Sequence, residues 1–163
     1  MKTNFKKLIP SLIFPQLAGL FGSLFTIQSV STWYTTITKA SFNPPGWVFG
    51  PAWTVLYILM GIASYLIWQQ VDKPFGKLRD RRAKNALTIF WVHLFFNASW
   101  SWVFFGLHLP RLALLNLLIL WVFVIIMIGK FYRIDKRASY LLIPYLLWLS
   151  FAGVLNYFIW ILN

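Results

Sequence analysis

Residues 111–129, RLALLNLLILWVFVIIMIG, carry one charge, at the first position, and one amide, at Asn116; every other residue is apolar or glycine. As a helix rising 1.5 Å per residue, a stretch of this length crosses nearly all of the roughly 30 Å of hydrocarbon in a bilayer. No proline interrupts it, and no polar face runs along it that could be left in water. It therefore reads as a transmembrane helix, and the rest of the chain reads in the same terms. Working outward, further apolar runs lie at roughly 8–28, 45–68, 86–105 and 138–162. Each is near the roughly 20 residues that a membrane-crossing helix needs. With 60% hydrophobic and 11% charged residues and a mean hydropathy of +0.68, the chain has too little polar surface for a water-soluble domain. The expectation is one domain, residues 1–163, folded as an all-α bundle of five transmembrane helices.

The net charge of +12 would also suit a nucleic-acid binder, so the placement of the charges decides. Lys2, Lys6 and Lys7 precede the first run; Lys73, Lys77, Arg79, Arg81, Arg82 and Lys84 follow the second; Lys130, Arg133, Lys136 and Arg137 follow the fourth. The alternate connections hold only Lys39 and Arg111. Thirteen basic residues thus fall on one side and two on the other, which under the positive-inside rule puts the N-terminus inside and the C-terminus outside. A soluble nucleic-acid binder has no reason to alternate its charge with apolar spans, so the expected partner of these groups is anionic lipid. The Lys-rich start and Ser29-Val30-Ser31 fit the outline of a cleaved signal peptide, but the length of the first run and its Pro10, Pro15, Gly19 and Gly22 favour a retained helix. With no cysteine in the chain, disulfides, thiolate metal sites and thiol catalysis are excluded.

Ala18 with Gly22, and Gly19 with Ser23, are small residues four apart, a spacing that lets another helix backbone approach closely, within the chain or in a homodimer. The connection at about 29–44 contains Trp33, Tyr34 and Phe42 and reads either as a cover over the outer mouth of the bundle or as an interfacial aromatic belt. Asn43-Pro44-Pro45-Gly46 ends it, because the prolines forbid helix before them and suit the first turn of a helix after them. On the second span Trp53, Tyr57, Gly61, Ser64 and Trp68 share a face; on the third His93, Asn97, Trp100 or Ser101, and Phe104 do so. Pro144 is expected to kink the fifth.

No Asp, Glu, Lys or Arg lies deep in a span, which removes the usual basis of ion-coupled transport. Asp72, Asp80 and Asp135 sit in the inside connections and cannot form a buried catalytic pair. His93 is the one ionisable group within a span, and a hydrogen-bonded packing role is commoner than ligation of haem iron. What remains is an uncharged, aromatic interior suited to a flat apolar ligand. By helical rise, Trp53 and Asn97 lie about 12 Å, and Ala152 about 15 Å, below the outer ends of their helices, with Trp148 one turn deeper. These residues can share one pocket, or the tryptophans can simply fill helix interfaces; periodicity alone leaves both open.

Several stretches carry a resemblance. Trp33-Tyr34 is followed by Ser41-Phe42-Asn43-Pro44-Pro45-Gly46-Trp47-Val48-Phe49-Gly50-Pro51-Ala52-Trp53, Leu56-Tyr57, Met60-Gly61 and Ser64-Tyr65-Leu66. Asn97 to Gly106 comes next, with its Phe104-Phe105-Gly106 ending, then Pro144-Tyr145-Leu146-Leu147-Trp148-Leu149-Ser150-Phe151-Ala152 and Leu155-Asn156-Tyr157. In this order they resemble the translocator protein (TspO/MBR) family, the tryptophan-rich sensory proteins whose animal members were called peripheral benzodiazepine receptors. The resemblance implies a five-helix bundle, often dimeric, whose pocket beneath the first connection accepts porphyrins and, in animal members, cholesterol and aromatic drugs. It implies Trp53, Asn97, Trp148, Ser150 and Phe151 as pocket residues; Ala152, Phe42 and Trp33 complete the candidate set. Phe42 stands where the family usually has tryptophan, losing the indole N–H. Leu155 and Tyr157 match the start of the animal sterol-contact pattern, but no Lys or Arg follows them, so sterol binding is not expected and a bacterial cell membrane is.

The expected function is that of a receptor or sensor for porphyrins such as protoporphyrin IX, with the ring stacked on Trp53, Trp148 and Phe151. Asn97 makes a polar contact and the propionates face Lys39 and Arg111. The alternatives are light-dependent porphyrin breakdown with Trp53 and Trp148 as redox partners, and passive transport of small lipophiles. No metal site and no tightly bound cofactor are expected.

Overall fold

The computed structural model describes residues 3–71 and 76–163; Lys2, Asp72 and Lys73, counted above for charge, lie outside the described residues. Helix α1 spans Phe5–Val30 and is followed by the short α2, Trp33–Thr36. A single 3-10 turn, Gly46–Val48, leads into α3, Phe49–Trp68. Helix α4 spans Lys77–Ser101 and ends in a π turn, Trp102–Gly106. Then come α5, Pro110–Tyr132, α6, Lys136–Tyr140, and α7, Ile143–Leu162. Five helical segments, Phe5–Val30, Gly46–Trp68, Lys77–Gly106, Pro110–Tyr132 and Lys136–Leu162, are long and apolar enough to cross a membrane.

Two boundaries differ from the hydropathy reading. Helix α4 begins at Lys77 rather than near 86, because hydropathy registers only the part of a helix that lipid covers. Its charged first turns, rich in Arg, Lys and Ala, are good helix formers that sit beyond the hydrocarbon. The fifth segment is broken at Leu141–Leu142 into α6 and α7, and Pro144 lies in the first turn of α7 instead of kinking a continuous helix. That position suits proline, whose missing N–H has no helical partner there.

The side chains of α5 show how the bundle divides lipid from core. Ala113, Leu117, Leu120, Val124, Met127 and Phe131, spaced three, four or seven apart, are buried, while Leu112, Leu115, Leu118 and Val122 are exposed. Helix α1 packs on α3 and α4, α4 on α5, and α5 on α7, while α3 touches α7 only thinly. The approach of α1 depends on glycine: a Cβ on Gly61 would lie 2.7 Å from the Ser11 carbonyl oxygen, one on Gly22 would lie 2.8 Å from Ser101 Oγ, and one on Gly19 would run into the Tyr57 ring. These small residues therefore serve packing within the chain.

The two ends of the bundle are tied differently. At the basic end Lys7 Nζ donates to the carbonyls of Trp68 and Val71, at 3.0 and 3.3 Å, placing a cation where α3 exposes its last carbonyls. Arg79 reaches the Ile134 carbonyl at 3.2 Å. Asp135 caps α6, accepting from the Arg137 backbone N–H at 3.0 Å and from its guanidinium at 2.9 Å. At the other end, where Lys39 and Arg111 lie, the backbone turns at His108, with φ of 56°, and Ser29 Oγ and His108 Nε2 share a hydrogen bond of 2.9 Å.

The hydrogen bond from Arg137 holds the Asp135 carboxyl below the usual carboxylate range. A depressed native value means that the stabilisation is complete above the unfolded carboxyl pKa, near 3.9, and is lost as pH falls through the native value. Replacing Asp135 with Asn keeps a capping oxygen but removes the charge, and should cost roughly 0.3 to 1 kcal/mol of stability at pH 7. In detergent melts the gap between the two proteins should hold down to about pH 5 and close below about pH 4; a gap that widens toward acid would contradict the assignment.

Candidate functional site

Because α3 and α7 scarcely touch, the half of the bundle nearer Lys39 and Arg111 encloses a hollow of about 340 Å³, within the size range of small-molecule sites. Its lining contains no Asp, Glu, Lys, Arg or His. Gly19, Ser23 and Thr26 of α1, Trp53 and Tyr57 of α3, and Asn97, Trp100 and Phe104 from α4 and its π turn make three of its walls. Leu117 and Leu120 come from α5, and Trp148, Ala152, Leu155, Asn156 and Ile159 from α7. The α7 residues recur at three or four, so one stripe of that helix faces the hollow.

The floor is a chain of hydrogen bonds. Tyr57 donates its hydroxyl to Asn97 Oδ1 at 2.9 Å, Asn97 Nδ2 donates to the Tyr145 hydroxyl at 2.8 Å, and that hydroxyl also meets His93 Nε2 at 2.8 Å. All four side chains are buried. The bonds to Tyr57 and Tyr145 fix which way the Asn97 amide points, leaving one N–H and one oxygen lone pair uncommitted. His93 thus has a packing partner at its outer nitrogen and stands behind the floor rather than in the cavity wall.

Aromatic rings stand on this floor. Trp53 stacks on Tyr57, with centroids 5.4 Å apart and planes at 29°, and meets the Tyr145 edge at 6.1 Å. Trp148 packs edge-on against Phe49 at 5.9 Å. On the opposite wall Trp100 stacks on Phe104 at 5.1 Å and 18°, and its N–H donates to Asn156 Oδ1 at 3.4 Å. Asn156 in turn donates to the Pro110 carbonyl at 2.7 Å, fixing the start of α5. Over the hollow lies the first connection, with Tyr34 facing in. Burial pushes the Tyr34 phenol above its ordinary pKa, so it remains a donor, to Asn43 Oδ1 at 3.2 Å.

Of the residues expected at a pocket, Trp53, Asn97, Trp148 and Ala152 are brought together here; four others are placed elsewhere. Ser150 lies two residues beyond Trp148, roughly 200° around the helix, and receives the Trp121 N–H at 3.0 Å on the exposed side. Phe151 lies on a shallow hollow on the outside of the α3/α7 seam, with Trp47, Pro51, Val55 and Leu147. Phe42 packs edge-on against Phe158 at 5.4 Å, and Trp33 stacks on His108 at 4.4 Å; both belong to the cover rather than to the cavity wall. Lys39 donates to the carbonyls of Tyr34 and Ile37, at 2.6 and 3.0 Å, and Arg111 lies 5.8 Å from the Trp160 ring. Among the described residues no three His, Cys, Asp or Glu side chains gather as metal ligands.

Sequence reading passed over the contribution of α1. The spacing of Gly19 and Ser23 points to helix packing, but both also line the hollow, where their small size leaves room. Tyr57 and Trp100 lie on the helix faces that periodicity assigns them, and Asn156 falls within the Leu155-Asn156-Tyr157 stretch without any signal of its own for the cavity.

Five apolar helices around an uncharged aromatic cavity define a polytopic membrane protein with an intramembrane ligand-sized site. The chain belongs to the TspO/MBR family, whose pattern matches residues 11–161. It is 43% identical over 160 residues to the tryptophan-rich protein TspO of Archaeoglobus fulgidus, covering 98% of this chain and 99% of that one. With the tryptophan-rich protein TspO of Chlorobaculum tepidum the identity is 40% over 146 residues, covering 89% and 88%. With the human translocator protein it is 36% over 146 residues, covering 90% and 83%.

Proposed function

We propose that this protein is a membrane receptor or sensor for tetrapyrroles such as protoporphyrin IX, held in the cavity above Tyr57 and Asn97. The observation that carries the reading is a hollow walled by three indole rings with no charged side chain in its lining. A flat, weakly polar ring system matches such walls, each stacked aromatic pair adding about 0.5 to 1.5 kcal/mol beyond area burial. Trp53, Trp100 and Trp148 form the stacking surfaces; Phe151, on the far side of the α3/α7 seam, is not one of them. Asn97 supplies its uncommitted N–H or lone pair. The propionates point to the end where Lys39 and Arg111 lie. The ligand class comes from the family resemblance; the cavity's shape and chemistry support it.

The same geometry favours a second reading, light-dependent porphyrin breakdown. Trp53 and Trp148 border the hollow directly, so an excited ring there would have indole electron donors at contact. Both readings suit a multi-pass protein of a bacterial cell membrane. The positive-inside rule puts its N-terminus on the cytoplasmic side. A cysteine introduced at Ser41 of this cysteine-free chain should therefore react with a membrane-impermeant thiol reagent added outside intact cells, and failure to react until lysis would reverse the orientation.

Titrating detergent-purified protein with protoporphyrin IX should quench tryptophan fluorescence saturably, and Trp53→Ala with Trp148→Ala together should weaken the apparent affinity about tenfold or more, as the loss of two stacking pairs implies. An unchanged titration would rule out this placement. Illuminating the same samples separates the readings: porphyrin loss above a denatured control supports breakdown, and loss equal to the control leaves the receptor.

A further inference from the structure

The cavity has three approaches, one through the cover and two through the sides, and they differ in how they are closed. Across the top the connection is fastened at several points. Trp33 stacks on His108 and meets the Phe104 edge at 5.5 Å, and Tyr34 packs on Phe105 at 5.6 Å. The backbone of Thr38 pairs with the Asn163 side-chain amide through bonds of 2.9 and 3.0 Å, tying the connection to the end of α7. The α3/α7 side is closed by Trp148, which lines both the cavity and the outer hollow and stands between them.

Between α1 and α3 the closure is only partial. The two helices touch toward the basic end, where Gly61 meets Ser11 and Leu12 and Gly19 meets Tyr57. The Gln16 side chain donates to the Thr54 carbonyl at 3.3 Å, a tie between the two helices at one edge of the cavity. Beyond this tie Leu20 lines the cavity and is nevertheless 62% exposed. Gly46 and Gly50, also in the lining, have nothing within 4 Å of where a Cβ would sit. The edges of the gap are dry in chemical terms although they carry hydroxyls. Ser23 donates to the Leu20 carbonyl at 2.7 Å, Thr26 to Gly22 at 3.1 Å and Thr54 to Gly50 at 2.9 Å. Hydroxyl protons committed to their own helix ask nothing of a passing hydrocarbon, so an apolar molecule crosses without stripping water from an unpaired donor.

We propose that the slot between α1 and α3 is the entrance to the cavity, open sideways to the acyl chains, and that the ligand it admits is one dissolved in the bilayer rather than in water. This rests on the reading above only in taking the cavity to be a binding site. The connection at the top is then a fixed roof, and Gln16 with Thr54 forms the sill of the slot.

The absence of cysteine allows a test that needs no porphyrin. In the full chain in liposomes, Ala152→Cys puts a single thiol in the cavity wall. An uncharged maleimide that partitions into lipid should label it at least tenfold faster than a charged methanethiosulfonate reagent confined to water, each rate taken relative to the same reagent on an unfolded control. Adding Gly50→Trp, which fills the slot without a steric conflict at Cβ, should slow the lipophilic labelling about tenfold, whereas Val122→Trp on the exposed face of α5 should not change it. Asn163→Ala, which unties the roof, should also leave the rates alone. Leu155→Cys should give the same pattern and serves if Ala152→Cys fails to fold. Equal labelling by the two reagents, no slowing by Gly50→Trp, or acceleration by Asn163→Ala would each overturn the side entrance. Failure of the porphyrin titration with this labelling pattern intact would instead reject the choice of ligand.

Discussion

In hydrocarbon no water competes for a hydrogen bond, and every buried polar group must find its partner within the protein. The hydrogen bonds among Tyr57, Asn97, Tyr145 and His93 supply such partners and join α3, α4 and α7 at one level of the bundle. The rest of the site depends on this knot. Below it α3 and α7 are bridged through α6 and a packed core that includes Met60, Phe90, Met127 and Leu142. Above it the same two helices stay apart, and the hollow occupies the space between them. The knot also presents to that hollow an amide of fixed orientation instead of a freely rotating one.

The walls follow from how side chains share a crowded interior. Large rings on α3, the end of α4 and α7 pack against one another by edge and face, holding the helices at a ring's breadth instead of letting them close. Helix α1 contributes the opposite property. Its Gly19, Gly22 and Ser23 bring its backbone close to Tyr57 and Ser101 and add little volume of their own. Lipid contact is left to the exposed apolar stripes of α1 and α5, and charge to the two rims. A five-helix bundle thereby keeps an uncharged cavity without placing an unpaired charge at depth.

Much of this was legible in the sequence, and what was not has physical reasons. Hydropathy locates the spans because transfer of apolar side chains into lipid dominates, but it cannot see the charged turns of α4 at Lys77–Lys84, which are helical outside the hydrocarbon. It also cannot decide whether Pro144 bends a helix or begins one, since apolar runs accommodate proline in either place. Trp53, Asn97, Trp148 and Ala152 were recoverable from helical rise, which fixes depth. Ser150 and Phe151 were drawn in by resemblance, though one lies on the far side of α7 and the other outside the α3/α7 seam. Phe42 and Trp33 were recognisable as aromatic cover, but their partners, Phe158 and His108, are distant in sequence. The share of α1 was hidden because small residues shape a cavity by what they omit, and periodicity records only what is present.

If the knot holds α3, α4 and α7 at the base of the hollow, its members must be energetically coupled. The most direct measurement is a double-mutant cycle between Asn97→Leu and Tyr145→Phe, read as unfolding free energy in detergent or bicelles. A coupling of about 0.6 kcal/mol or more, the scale of interhelical hydrogen bonds in membranes, is the predicted result. Strict additivity of the two substitutions would mean that the bond does not exist in the folded protein, and the floor of the cavity would have to be placed elsewhere.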